Sequence, residues 1–287
     1  MGVGAVRPAL GLVGAGSLAR ALVDGWLAAG WTPGQLWVTN RSDGERLRQM
    51  GDAGLRATRD RSELLAAVDV VVLLCKPDAA KEALGQLAAH WQPRHLLLSC
   101  LAGVPTAFLE QGLCVPEPRV VRAMPNIAAA VRGSATAFTP GRHARPADLE
   151  VAATLLGAMG DAWPVAEEAM DAVTAVAGSG PAYVFRFLEA LERAALAVGL
   201  PGELARPLAL RTVEGAARLA WHDPRPPAEL RAAVSSPGGT TLAGLTALDE
   251  GGLDGMVREA VARARARGAE MGKRWAGAAP SERPPQS

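Results

Sequence analysis

The chain has 287 residues, 49% of them apolar and 21% charged, with a formal net charge of +1. That length exceeds what one core normally fills, so two domains are expected, and the near-zero charge excludes a general field drawing in nucleic acid or acidic membrane. Cys75, Cys100 and Cys114 are odd in number and, like the scattered His90, His95, His143 and His222, keep no ligand spacing; they exclude a disulfide framework and a zinc site, predict no metal, and point to a reducing compartment, the cytoplasm.

The N-terminus enters a strand at once, preceded by Arg7-Pro8 in place of a signal peptide's long apolar core, and Val6 stands where a myristoylation signal wants Ser or Thr. Residues 9–13 read as a short buried strand. Gly14-Ala15-Gly16-Ser17-Leu18-Ala19 follows, then a helical run through Leu22, Val23, Trp26 and Leu27. Strand, G-x-G-x-x-A turn and helix make the first unit of a dinucleotide-binding fold. Gly14 permits the turn, Gly16 lets a pyrophosphate approach the backbone, and Ala19 allows helix and strand to pack closely. Ser17 and Leu18 complete the phosphate loop.

The second strand, residues 36–39, ends in Asn40-Arg41-Ser42, with no carboxylate before Asp43. An arginine here accommodates a 2′-phosphate, whereas an acid would bind the ribose 2′-hydroxyl. NADP(H) is therefore expected over NAD(H), with Arg41 and Ser42 on the phosphate; a solvated loop arginine is the plain alternative. Residues 68–74 form a third strand, apolar almost throughout, as a parallel sheet covered on both faces requires. It stops at Cys75-Lys76-Pro77, a loop at the carboxyl edge where open α/β sheets bind ligands. Lys76, one of only three lysines, points either at cofactor or substrate or simply at solvent. Cys75 reads as core in preference to nucleophile.

Strands over 96–99 and 120–122 lead into Cys100-Leu101-Ala102-Gly103-Val104-Pro105 and Ala123-Met124-Pro125-Asn126. Small residues in both loops leave room for a flat ring, with Ala102 and Gly103 nearest the cofactor. Asn126 either bonds the substrate or closes a Pro-Asn turn. A further strand is read over 134–138 and a helix over 149–159. The alternation predicts a doubly wound α/β domain over residues 1–163.

After Ala162-Trp163-Pro164-Val165 the pattern turns helical, predicting an all-helical domain over 164–275 and a disordered tail over 276–287. Gly178-Ser179-Gly180-Pro181-Ala182-Tyr183 is a helix entry, proline just inside the start. Tyr183, the only tyrosine, serves the site or packs in the core. Helices follow to Gly199 and over 204–221. Ser235-Ser236-Pro237-Gly238-Gly239-Thr240-Thr241 opens another, whose amide end suits a small carboxylate or phosphate, although an ordinary glycine-rich entry looks the same. In the last helix Leu253, Met256, Val257, Ala260, Val261 and Ala264 keep one apolar face.

The ordered set G-x-G-x-x-A, Cys-Lys-Pro, Ala-Gly-Val, Arg-x-Met-Pro-Asn, Gly-Ser-Gly-Pro-Ala-Tyr and Ser-Pro-Gly-Gly-Thr-Thr resembles the pyrroline-5-carboxylate reductase family over residues 8–272. The resemblance implies reduction of Δ1-pyrroline-5-carboxylate to L-proline by NAD(P)H, a Rossmann domain, and a helical domain interlocking with a second subunit as a homodimer or ring of dimers. The residues themselves agree: Ser236, Gly238, Gly239, Thr240 and Thr241 offer a substrate seat at a helix start, with Asn126 a further candidate. Hydride transfer needs two stacked rings and a hydrogen-bonding partner for the imine nitrogen, not a nucleophile. Thr174, Thr241 and solvent are the candidate partners, and Lys76 the orienting cation. Ser17-Leu18 departs from the family's usual Asn-Met, and Pro224 stands where some relatives carry an acid, leaving Asp223 as a possible substitute. Two other readings are a β-hydroxyacid dehydrogenase-like reductase, whose Gly-Lys-x-x-x-Asn run is not matched at Gly272-Lys273, and a non-catalytic dimeric NADP-binding sensor.

Overall fold

Three short apolar runs become the centre of one sheet because every residue in them can be buried. Leu10–Val13 (β1), Val70–Leu73 (β4) and Leu96–Ser99 (β5) are buried at all positions. Between them run Leu36–Thr39 (β2) and the two-residue Arg56–Ala57 (β3); beyond them come Arg119–Met124 (β6), Ser134–Pro140 (β7) and Gly160–Pro164 (β8). The order is β3-β2-β1-β4-β5-β6-β7-β8, parallel except for the β6–β7 pair. The computed structural model describes residues 7–41 and 44–276. Ser42 and the tail beyond Ala276 lie outside the described residues.

The helices are Ser17–Ala28 (α1), Glu45–Asp52 (α2), Arg61–Ala67 (α3), Ala80–Ala88 (α4), Thr106–Leu113 (α5), Pro146–Gly157 (α6), Met170–Val173 (α7), Gly180–Ala197 (α8), Gly202–His222 (α9), Pro227–Ala233 (α10), Thr240–Glu250 (α11) and Leu253–Ala276 (α12). Successive strand residues point to opposite faces, and the two cores follow that alternation. Val70, Val72, Leu96 and Leu98 join Leu22 and Trp26 of α1 and Leu155 of α6 on one face. Val71, Leu73 and Leu97 join Leu64, Leu84 and Leu109 of α3, α4 and α5 on the other. The Trp26 indole donates to the Leu155 carbonyl at 2.9 Å, so the largest buried side chain leaves no donor unpaired.

The strands read as β1, β2, β4, β5, β6 and β7 all form, as does the doubly wound α/β class. Two strands went unread. β3 is exposed and very short; β8 is an edge strand with proline at its end and no apolar alternation. The chain divides into two compact units, the first running to Ser179 and resuming at Ala264, the second Gly180–Arg263. The first unit thus passes beyond residue 163 and takes back the carboxyl half of α12. There Trp275 packs against Phe108 with ring centroids 4.6 Å apart. Among the described residues no helix is long and apolar enough to cross a membrane, and no cluster of His, Cys, Asp or Glu could hold a metal ion.

Candidate active site

The sheet order reverses at β1, with β2 on one side and β4 on the other, so the loops leaving β1 and β4 part and open a crevice at their carboxyl ends. Gly14 turns the chain there at φ +124°, with its N–H donating to the Thr39 carbonyl at 2.8 Å. A Cβ at Gly14 would lie 2.7 Å from the Leu74 carbonyl carbon, so only glycine lets the chain leave β1 this close to the end of β4. Gly16 is different. It precedes α1 in an extended conformation, no side chain caps the helix, and nothing lies within 4 Å of where its Cβ would be. The fold itself does not require glycine at that position, which leaves open ground over the backbone. The first amides of α1 have no helical partners and sit at its positive pole, a seat for phosphate.

A cleft of about 300 Å³ opens in front of this turn. It brings together Gly14, Gly16, Asn40, Arg41, Cys75 and Lys76, six of the residues named from the sequence, and adds Arg46 and Arg61, which sequence reading missed. Arg46 was hidden on a helical face, and Arg61 follows the unread β3. Arg41 is largely exposed and reaches Glu82 across the cleft at 3.5 Å, an ion pair of roughly 0–1 kcal/mol in such an exposed setting. Burial pushes the Cys75 thiol up to about 11, so it lines the cleft as a neutral group, and Cys100 is pushed up to about 12 for the same reason.

The remaining cofactor candidates flank the cleft. Pro77 opens a single turn, Pro77–Ala79, directly after Lys76. Ser17 lines a neighbouring hollow with Arg20 and Arg46, while the Leu18 side chain packs on the core and leaves only its amide to a ligand. Gly103 is buried at φ +71°, and a Cβ there would come within 3.0 Å of the Met271 side chain and 3.2 Å of the Gly268 carbonyl oxygen. Glycine is needed here so that α12 can close on the Ala102-Gly103 loop.

A third cluster ties β6 to α7. Arg122, 4% exposed, meets Glu167 at 3.3 Å and Asp171 at 3.5 Å, and Glu167 also accepts from the Thr106 amide at 2.8 Å and its hydroxyl at 2.6 Å. This network was not read from the sequence, because its partners lie far apart in the chain. It anchors the start of the segment carrying Thr174. Thr174–Gly178 forms a widened turn in which the Ser179 amide donates to the Thr174 carbonyl at 2.9 Å. The Thr174 hydroxyl donates to the Met170 carbonyl at 2.8 Å. Its proton is spent there, and its lone pairs remain for an incoming N–H. Asn126 is buried and bonded to Ala128 and Ala177.

In the second unit, Gly239 caps α11 without side-chain help and Gly238 turns at φ +72°. The Gly239 amide donates to the Ser236 carbonyl at 3.0 Å, and a Cβ at Gly239 would strike the Ser236 hydroxyl at 2.5 Å. The first-turn amides of α11 and the Thr240 and Thr241 hydroxyls are therefore free for a small anion, with no acid in that turn. Tyr183 is half-buried on α8. Asp223 is held by the Arg225 side chain at 2.7 Å and the Arg225 backbone amide at 3.0 Å, which lower its pKa to about 2. It stays a carboxylate at neutral pH, paired with Arg225.

Two family models match: pyrroline-5-carboxylate reductase dimerisation over residues 167–271, and NADP oxidoreductase, coenzyme F420-dependent, over residues 9–103. A pyrroline-5-carboxylate reductase 2 of Bacillus subtilis is 40% identical, the match covering 94% of this chain and 97% of the relative. The pyrroline-5-carboxylate reductase of Methanosarcina acetivorans is 36% identical over 92% of this chain and 98% of its own. Among solved structures, a Plasmodium falciparum pyrroline carboxylate reductase with NADP bound superposes with TM-score 0.85 at 27% identity, covering 94% of this chain and 100% of that one. The Coxiella burnetii enzyme gives 0.82 at 34% identity, covering 92% and 98%.

Proposed function

The chain belongs to the pyrroline-5-carboxylate reductase family, and from that membership we infer its activity: it reduces Δ1-pyrroline-5-carboxylate to L-proline as an NAD(P)H-dependent oxidoreductase. A bound nicotinamide supplies the hydride. The imine carbon gains that hydride, the nitrogen gains a proton, and the products are a secondary amine and the oxidised cofactor. The observation that carries the cofactor half is the open ground over Gly16 at the amide end of α1, a cradle a side chain would fill.

In the proposed site, Gly14, Gly16, Ser17 and the Leu18 amide hold the pyrophosphate, and Asn40, Cys75, Lys76, Pro77, Ala102 and Gly103 line the remainder. Arg41, with Ser42, favours NADP(H) over NAD(H), supported by the arginines around the cleft. The substrate carboxylate takes the amide end of α11 at Thr240 and Thr241, which Gly238 and Gly239 leave unobstructed, with the Ser236 hydroxyl. Thr241 donates or accepts at the ring nitrogen. Thr174, whose own proton is committed to Met170, accepts from the protonated imine and so stabilises the more electrophilic form. Cys75, the cysteine lining the cleft, is not a thiolate, in keeping with a reaction that needs no covalent intermediate.

The helical unit self-associates; the proposed assembly is a homodimer extendable to a ring of dimers, readable from its sedimentation mass. Three free thiols support a cytoplasmic setting. Neither a β-hydroxyacid dehydrogenase-like reductase nor a non-catalytic sensor is favoured by relatives that are pyrroline-5-carboxylate reductases over their whole length. Steady-state oxidation of NADPH and of NADH with pyrroline-5-carboxylate is the direct test. Turnover with a lower KM for NADPH is expected; a lower KM for NADH overturns the cofactor preference, and no turnover overturns the reading.

A further inference from the structure

Each polar atom of the Asn126 side chain already has a partner within the protein. Its Oδ1 accepts from the Ala128 amide at 2.9 Å and its Nδ2 donates to the Ala177 carbonyl at 3.0 Å. The partners fix the orientation of the side chain, since an amide needs an oxygen and a carbonyl needs an N–H. The backbone N–H of Asn126 donates to the Ser134 hydroxyl at 3.0 Å, and that hydroxyl is shared with Thr136 at 2.9 Å. The residue is 7% exposed.

The Ala177 carbonyl has a particular need. In an ordinary helix its donor would be the N–H of residue 181. Residue 181 is proline and has no N–H. The carbonyl sits in the widened turn Thr174–Gly178, where the regular ladder is already broken. We propose that Asn126 is a positioning residue: its side-chain amide supplies the hydrogen bond that Pro181 cannot give, and thereby holds the turn that presents Thr174. The Met-Pro-Asn and Gly-Ser-Gly-Pro segments are then two halves of one device. The second half creates an orphan carbonyl and the first half pairs it. This role rests on the reading of Thr174 as facing the imine; the hydrogen bond itself does not.

Asn126→Asp keeps the acceptor for Ala128 and turns an oxygen toward the Ala177 carbonyl. Pro181→Ala restores the missing N–H. We expect Asn126→Asp to lower the melting temperature and to lower kcat about tenfold, as loss of one buried bond does, and the double variant Asn126→Asp/Pro181→Ala to recover most of both. Pro181→Ala alone is the reference for the cycle. The melt reads the bond without substrate, so failure of the second substitution to recover stability overturns the proposal. Recovery of the melt with kcat unaffected throughout overturns the positioning role and leaves the bond. A rise in the KM for pyrroline-5-carboxylate alone, unrescued by Pro181→Ala, makes Asn126 a direct substrate contact and overturns the proposal. If Asn126→Asp yields no folded protein, recovery of soluble enzyme by Pro181→Ala supports it and continued failure overturns it.

Discussion

The two units handle apolar surface in opposite ways. In the first, both faces of the central strands are covered, and side chains as large as Trp26 are fully enclosed. In the second, Ala205 and Ala209 are the only buried apolar residues among those described, while Phe185, Phe187, Leu204, Leu208 and Trp221 are between 45% and 66% exposed. Large apolar side chains left open in this number suit a surface that a second subunit covers, and the dimerisation family model spans this unit. The first unit encloses its apolar core within one chain, and the second does not. α12 joins the two solutions: Met256 and Val257 stay exposed near its start, while Met271 and Gly272 close on Gly103 near its end.

The hardest way to break this contrast is to place charge on the open face. Phe187→Asp with Leu208→Asp is expected to weaken self-association by about 100-fold or more, because each acid would be buried without a partner. Sedimentation should show monomer, while NADPH still binds the first unit. A variant that remains dimeric would mean that the partner covers a different face of α8 and α9.

Within the first unit, two glycines two residues apart separate fold from function. Gly14→Ala places a Cβ 2.7 Å from backbone at a positive φ and is expected to cost several degrees of melting temperature along with activity. Gly16→Ala meets nothing within 4 Å, so the fold should melt as before while the KM for NADPH rises about tenfold. Equal melting losses in the two variants would remove the argument for a ligand over Gly16.

Sequence reading reached the first unit more fully than the second, for a physical reason. β1, β4 and β5 are buried on both faces, so their composition alone marks them, and the switch point at Gly14 and Cys75 follows from their order. β8 pairs on one edge only and carries Asp161 and Pro164, so no periodicity announces it. Arg61 and Arg46 reach the cleft from helices whose facing depends on tertiary packing. The Pro-Asn pair reads equally as substrate contact or turn, because the second partner of Asn126, Ala177, is 51 residues away. In the second unit the helices were legible, but an apolar helix face reads the same whether a core or a partner subunit covers it.

The contrast sharpens at Thr241. A hydroxyl that serves the substrate from the second unit should affect substrate and cofactor unequally. Thr241→Val keeps the shape and removes the hydrogen bond, a loss of about 1–3 kcal/mol if the group is enclosed in the complex. The KM for pyrroline-5-carboxylate is expected to rise correspondingly, with that for NADPH nearly unchanged. Equal changes in both would detach Thr241 from the substrate seat.

The smallest effect belongs to the core of the first unit. His95 is fully buried, its Nδ1 accepting from the Gln92 amide at 2.9 Å and its Nε2 donating to the Leu65 carbonyl at 2.9 Å. Burial pushes its pKa below the ordinary 6.5, and the nearby Arg94 and Arg119 add to this against the opposing bond to Leu65 and the charge of Asp69. Protonation would also turn the Nδ1 acceptor into a donor facing another donor. As pH falls below 6.5 the unfolded chain takes up a proton that the native state refuses, so stability drains toward the unfolded side. The contribution is complete above pH 6.5 and is lost as pH falls through the depressed native value. His95→Gln has no such titration. Between pH 7.5 and 5 the unsubstituted protein should therefore lose more melting temperature than the variant. Parallel losses would assign the acid sensitivity to other groups and leave His95 a neutral spacer beneath β5.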